Sequence, residues 1–196
     1  MTKKFKTREA WLNEFTRRAR PVFKAKGYTI PDNVRVSVGF TSKGAKTNRI
    51  GECWSSKSSE DGAFEIFITP AIGDASRIAD IHTHELIHAT VGLEAGHKKP
   101  FVDCMKAVGL IGKPTATIAG PEWHAWADKI LESLGPLPHA ALKAGGNGVK
   151  KQSTRMIKCQ CQDCGFVMRT SSQWIENACG DLRCPDPICG GSMDIG

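Results

Sequence analysis

His84, Glu85 and His88 are the residues whose types and spacing say most about chemistry in this chain. Two histidines four apart project from one face of a helix, about one turn from each other, which lets both imidazoles bind one metal ion. Glu85 then stands beside that ion without binding it. From there a carboxylate can take a proton from a zinc-activated water and later deliver it to a leaving amine. The metal lowers the pKa of such a water towards ~7, so hydroxide is available near neutral pH. A catalytic zinc wants three protein ligands and one open position. His97, in Gly92-Leu-Glu-Ala-Gly-His97 just past the expected helix end, is the expected third ligand, with Glu94 and Glu122 as its competitors. His82 falls on the other side of the helix and is expected to be packed or at the surface, and His124 and His139 have no partner at metal spacing.

A second cluster lies in the tail. Cys161-Gln-Asp-Cys164-Gly165 reads as a zinc knuckle, with two thiolates three apart and a glycine that permits the tight turn after them. Cys184-Pro-Asp-Pro-Ile-Cys189-Gly-Gly supplies a second pair, two residues wider than the usual spacing. Four thiolates close a tetrahedron and leave no open position, so this site is expected to hold structural zinc. Cys159 and Cys179 are spare, and either could replace a neighbour in the ligand set; Cys53 and Cys104 read as small core residues. The alternative use of eight cysteines, a disulfide framework, needs an oxidising compartment. No apolar run follows the charges of Met1-Thr-Lys-Lys-Phe-Lys-Thr-Arg8, and no stretch approaches the ~20 apolar residues of a membrane helix, so the expected compartment is cytoplasmic, with no membrane partner.

These side chains need a scaffold. Thr7 is placed to cap a helix running to about Phe23, with Trp11, Leu12, Phe15, Ala19 and Val22 or Phe23 at helical spacing. Three strand-like runs follow, Val34 to Phe40, Arg49 to Trp54 and Phe64 to Ile68, separated by turn-rich segments, and are expected to form an antiparallel meander. The histidine helix is expected from about Asp74 to Val91, ending near Gly92. Further helices are expected from about Pro100 to Val108 and from Pro121 to Leu134, the last with Trp123, Trp126, Ile130 and Leu134 on one face. Lys143 to Thr154, rich in Gly and Lys, has the composition of a flexible connector. The expected division is therefore a domain over 1–142, a linker over 143–154 and a small four-cysteine unit over 155–196.

The run from His84 to Phe101, His-Glu-Leu-Ile-His-Ala-Thr-Val-Gly-Leu-Glu-Ala-Gly-His-Lys-Lys-Pro-Phe, resembles the SprT-like, Spartan-related metallopeptidases. Ile50-Gly-Glu-Cys-Trp54 and Glu65-Ile-Phe-Ile-Thr-Pro70 look like the strands that lead into that family's active helix, and the resemblance spans roughly residues 8 to 140. The metzincin pattern is not met, because it needs Gly and His where this chain has Val91 and Glu94. The resemblance implies an α+β, zincin-like domain with an N-terminal helix, a three-stranded antiparallel sheet and the active-site helix, followed by a C-terminal zinc ribbon. It also implies two zinc ions, one catalytic on His84, His88 and His97 and one structural on Cys161, Cys164, Cys184 and Cys189. Glu85 is then the base, and the substrate is a protein.

Charge points to a further partner. The net charge of +7 is concentrated: residues 1 to 50 hold 13 Lys and Arg against 3 Asp and Glu. A local positive field of this kind attracts polyanions, which makes DNA a candidate partner and Arg17, Arg18, Arg20, Lys43, Lys46 and Arg49 its candidate contacts. The rival to a zinc peptidase whose substrates include DNA-associated proteins is a non-hydrolytic zinc protein that binds nucleic acid through this basic half.

Overall fold

The expected first helix forms where its cap and its apolar stripe place it. In the computed structural model, which describes residues 4–45, 48–143 and 156–196, α1 spans Arg8–Ala25 and Thr7 Oγ1 accepts from the Ala10 amide at 3.1 Å. Trp11, Leu12, Phe15, Ala19 and Phe23 form its fully buried stripe. Arg8 is also buried. Its guanidinium donates to the carbonyls of Ile72, Pro138, His139 and Pro70 at 2.8 to 3.4 Å, tying α1 to two loops.

Strands β1 (Val34–Val38), β2 (Gly51–Trp54) and β3 (Phe64–Ile68) form one sheet in the order β1-β3-β2. This corrects the antiparallel meander: β1 runs parallel to β3, with Val36 opposite Ile66, and only β2 is antiparallel to it, with Cys53 opposite Ile66. The physical reason is enclosure. β3 buries Ile66 and Ile68 completely and takes the middle, where a strand is covered on both edges, whereas β2 has no fully buried residue and sits at an edge. A two-to-five-residue hairpin loop would have forced neighbours in sequence to pair, but residues 39–50 between β1 and β2 are long enough to carry the chain across.

Helix α2 (Ala75–Val91) packs on this sheet. Asp74 Oδ1 caps it by accepting from the Arg77 amide at 2.6 Å, and Gly92 ends it at φ +86°, a conformation that favours glycine. A single turn at Leu93–Ala95 leads to α3 (Lys99–Ala107). Next comes a hairpin that the periodicity did not announce, β4 (Leu110–Lys113) paired antiparallel with β5 (Ala116–Ala119). Helix α4 (Pro121–Leu134) closes the core with Trp123, Ala127 and Leu134. The Trp123 indole donates to Thr83 Oγ1 at 3.0 Å and so fixes α4 against α2.

The chain divides into two compact units, Met1–Gly146 and Asn147–Gly196. The expected linker from 144 onward lies outside the described residues. In the second unit β6 (Ile157–Cys161), β7 (Val167–Thr170), α5 (Ser172–Asn177) and β8 (Met193–Ile195) follow in order, and the sheet runs β7-β6-β8 with both pairings antiparallel. With five helices and small sheets among its described residues the protein is mixed α and β, and no described helix is long and apolar enough to cross a membrane.

Candidate metal centres

Three imidazoles converge in the first unit. Positions 84 and 88 lie one turn apart on α2, and the turn after Gly92 brings His97 back over them. His97 Nε2 stands 3.2 Å from His88 Nε2 and 3.3 Å from His84 Nε2. Two nitrogens bound tetrahedrally to one zinc, each at about 2.0–2.1 Å, stand about 3.3 Å apart, so the set fits that ion. Phe101, fully buried, packs its ring 4.5 to 4.9 Å from all three imidazole centroids and forms the apolar floor of the group. Burial, reinforced by the neighbouring rings and Arg77, pushes His84 down to about 3, and burial with His97 pushes His88 to about 4. The rings are therefore neutral near pH 7, the form that ligates. Glu94, exposed in the turn, and Glu122, exposed at the start of α4, do not join the group.

Thr117 on β5 is a contact that helical spacing does not disclose. Its hydroxyl lies 2.9 Å from His84 Nδ1, and an Nδ1–H donated to that oxygen leaves the Nε2 lone pair directed at the other two rings. Thr117→Val should lower metal affinity at the histidine site about 10–100-fold, measured by competition with a chromophoric chelator, and leave the cysteine site unchanged.

Glu85 turns the other way on α2, towards the edge strand. It is nearly buried, and a methyl group at Gly51 would stand 2.5 Å from its Oε1 and 2.8 Å from Ile81 Cγ2, so the carboxylate rests directly on the β2 backbone. Burial pushes the Glu85 carboxyl up to about 8 with help from Glu52, while Arg49 and the Cys53 amide oppose it; a divalent cation nearby acts in the same direction as those two. A cleft of about 370 Å³ opens between β2 and β5, lined by Gly51, Glu52, His84, Glu85, His97 and Thr117 among others.

The remaining histidines sit apart. His82 is fully buried, with Nε2 2.7 Å from Thr16 Oγ1, and packs beside Phe15. His124 pairs with Asp128 on the exposed face of α4, and His139 supplies a backbone carbonyl to Arg8.

The candidate nucleic-acid residues already have intramolecular partners in most cases. Arg17 and Arg18 both donate to Glu14, whose carboxyl their hydrogen bonds pull down to about 2. Arg20 donates to the Ile30 and Pro31 carbonyls at 2.7 and 2.9 Å and to Asp32. Arg49 donates to Glu52 Oε1 at 2.5 Å beside the cleft. Lys43 is exposed, and Lys46 lies outside the described residues.

In the second unit Cys161 and Cys189 bring their sulfurs to 3.6 Å, Cys164 and Cys184 theirs to 3.5 Å, and all four lie within 4.8 Å of one another. Tetrahedral zinc with bonds of about 2.3 Å separates its sulfurs by about 3.8 Å, so four thiolates at these positions also fit one ion. Gly165 follows its knuckle at φ +75° and Gly190 follows the wider one at φ +59°, so each turn uses a backbone conformation that glycine adopts freely. Cys159 is buried on β6 and Cys179 is exposed after α5, and neither belongs to the group. Cys104 is fully buried in the first unit's core, and Cys53 is half-buried on β2.

No protein-family model matches this chain, and no curated protein or solved structure matches it.

Proposed function

We propose that this protein is a zinc-dependent peptidase of the SprT-like kind, with His84, His88 and His97 as metal ligands, Glu85 as the proton-transfer group, and a second zinc holding a C-terminal ribbon together. The observation that carries the reading is the convergence of the three imidazoles, with His97 Nε2 at 3.2 and 3.3 Å from those of His88 and His84, beside a cleft that His84, His97 and Glu85 line. A zinc ion held there supplies a Lewis acid that acidifies water and polarises a carbonyl. Glu85, braced on β2, takes the proton from the attacking water and returns it to the amine of the departing peptide half. Thr117 holds the His84 ring in the ligating tautomer, and Phe101 keeps water from the far side of the rings.

A peptide is favoured over a small substrate by the edge of β2. The Thr69 amide donates to the Ile50 carbonyl, so in the antiparallel pattern Gly51 and Cys53 turn their N–H and C=O away from β3. The Cys53 amide faces the Glu85 carboxylate, and an extended segment can pair with the groups of that edge that Glu85 leaves open, adding a strand next to the histidines. Strand addition needs a substrate free of its own secondary structure, so unfolded regions of proteins are the expected targets. The test is hydrolysis of an unfolded, dye-labelled protein by the zinc-loaded chain, with and without a chelator; zinc-loaded protein that cleaves no peptide bond sinks the reading.

Ligand identity has its own check. His97→Ala should lose one of two zinc ions and Glu94→Ala should lose neither, by elemental analysis of purified protein; the reverse outcome reassigns the third ligand. For the rival, a non-hydrolytic nucleic-acid binder, the described residues add little, because the α1 arginines are engaged by Glu14, Asp32 and loop carbonyls. DNA association of the substrate remains a proposal from charge, tested by whether added DNA accelerates cleavage of a DNA-bound protein.

A further inference from the structure

Two helical turns before His84, about 10 Å along the axis of α2, Arg77 reaches the same cleft. Its Nη1 donates to both oxygens of Asp80 at 2.9 and 2.8 Å and to the Thr117 carbonyl at 3.2 Å. Asp80 is itself nearly buried and accepts from the Ala119 amide at 3.1 Å, so the guanidinium is held in one orientation from two directions. Its Nε and Nη2, by contrast, donate to no group among the described residues. That edge of a guanidinium presents two parallel N–H groups at the spacing of two carboxylate oxygens. Nor does the cleft wall supply a competitor: Glu52 already accepts from the Ser42 amide and hydroxyl and from Arg49, and Glu85 rests on Gly51.

We propose that Arg77 is a specificity-determining residue that anchors a substrate carboxylate in the cleft. The inference rests on the peptidase reading for which bond is cut, and on the fixed, half-occupied guanidinium for the anchor itself. The guanidinium and the His84 ring share Thr117, one through its carbonyl and the other through its hydroxyl, so the anchored carboxylate belongs to a residue within a few positions of the cleaved bond in an extended peptide that advances about 3.3 Å per residue. Two sources carry this chemistry, an aspartate or glutamate side chain and the C-terminal carboxylate of a peptide.

Binding and cleavage separate the two readings. Short dye-labelled peptides of neutral side chains carry one Asp walked along the sequence, each with an Asn counterpart and with either a C-terminal acid or a C-terminal amide. Their affinity is measured by fluorescence anisotropy for the full-length, zinc-loaded Glu85→Gln protein, which binds without turning over. The expected result is that one Asp position, or the free C-terminus, binds about tenfold or more tighter than its neutral counterpart, as a paired charge-assisted contact does. Arg77→Gln added to that protein should abolish the difference with zinc content unchanged, and Arg77→Lys should restore part of it. A walked Asp that gains affinity identifies a side-chain anchor; a gain confined to the acid-terminated set identifies the C-terminus. Equal binding of charged and neutral peptides, no binding of any, or a preference that survives Arg77→Gln overturns the assignment. Cleavage of the unfolded protein by the wild-type chain is scored separately. If the chain cleaves without a carboxylate preference, only the Arg77 anchor falls. If it binds carboxylate peptides through Arg77 and cleaves nothing, only the peptidase reading falls.

Discussion

Replacing Glu85 with Gln should leave two zinc ions per chain and lower kcat about 10²–10⁴-fold, the range that a positioned proton-transfer group supplies. The amide has the size of the carboxylate and still fits against the β2 backbone at Gly51, and the three Nε2 atoms that would hold the metal belong to other side chains. What the amide lacks is a basic oxygen able to take a proton. Binding of peptide should persist, so KM moves little while kcat collapses. Gly51→Ala is the matching change from the opposite side. Its methyl would overlap Glu85 Oε1 at 2.5 Å, which pushes the carboxylate off its seat and should cost turnover about tenfold or more, with zinc retained. Elemental analysis alongside steady-state kinetics checks both. An active Glu85→Gln protein removes Glu85 from the mechanism, and an active Gly51→Ala protein shows that the seat on β2 does not matter.

The second large effect concerns the C-terminal unit. Its buried apolar cluster consists of Cys159, Cys161, Cys184 and Met193, and two of these four are members of the cysteine group. A unit of this size with so small a core does not hold itself folded without a staple, and a structural zinc contributes about 10–16 kcal/mol in small metal-binding units. Cys164→Ser with Cys184→Ser, or zinc removal by a strong chelator, should therefore unfold residues 156–196 cooperatively. Residues 8–143 should keep their structure, because they have a separate core of Trp11, Phe15, Ile66, Leu86, Trp123 and others. Amide hydrogen exchange on the intact chain resolves the two. Protection in β6 and β8 that survives chelation would show that the metal is dispensable to the fold, and zinc content should fall from two ions to one in the double cysteine variant.

Much of this site is legible in the chain because it is local. A four-residue spacing on a helix puts His84 and His88 on one face whatever the rest of the fold does, and Asp74 and Gly92 mark where that helix starts and stops. The same holds for Thr7 before α1, Pro121 at the start of α4, and the cysteine pairs whose glycines Gly165 and Gly190 permit the turns. Strand order was not legible. The alternation of Val34, Val36 and Val38 specifies a face and says nothing about a neighbour, so the parallel pairing of β1 with β3 was settled by which strand could be covered on both edges. Charge counting had the same limit: Arg8, Arg17, Arg18 and Arg20 are four cations in the sequence, yet in the fold Arg8 is buried on carbonyls, and Glu14, Asp32 and the Ile30 and Pro31 carbonyls occupy the others. Nothing in the composition of Leu110 to Ala119 signals that its hairpin will deliver Thr117 to His84, or that Arg77 and Asp80 will clasp its edge. By itself the sequence determined the two sets of side chains that could hold a metal ion and the helix that carries the first, since these follow from backbone periodicity over a few residues. Only the tertiary structure decided which edge faces the cleft, what braces the histidines and which cations keep free donors, because those depend on contacts between segments tens of residues apart, and no local preference encodes them.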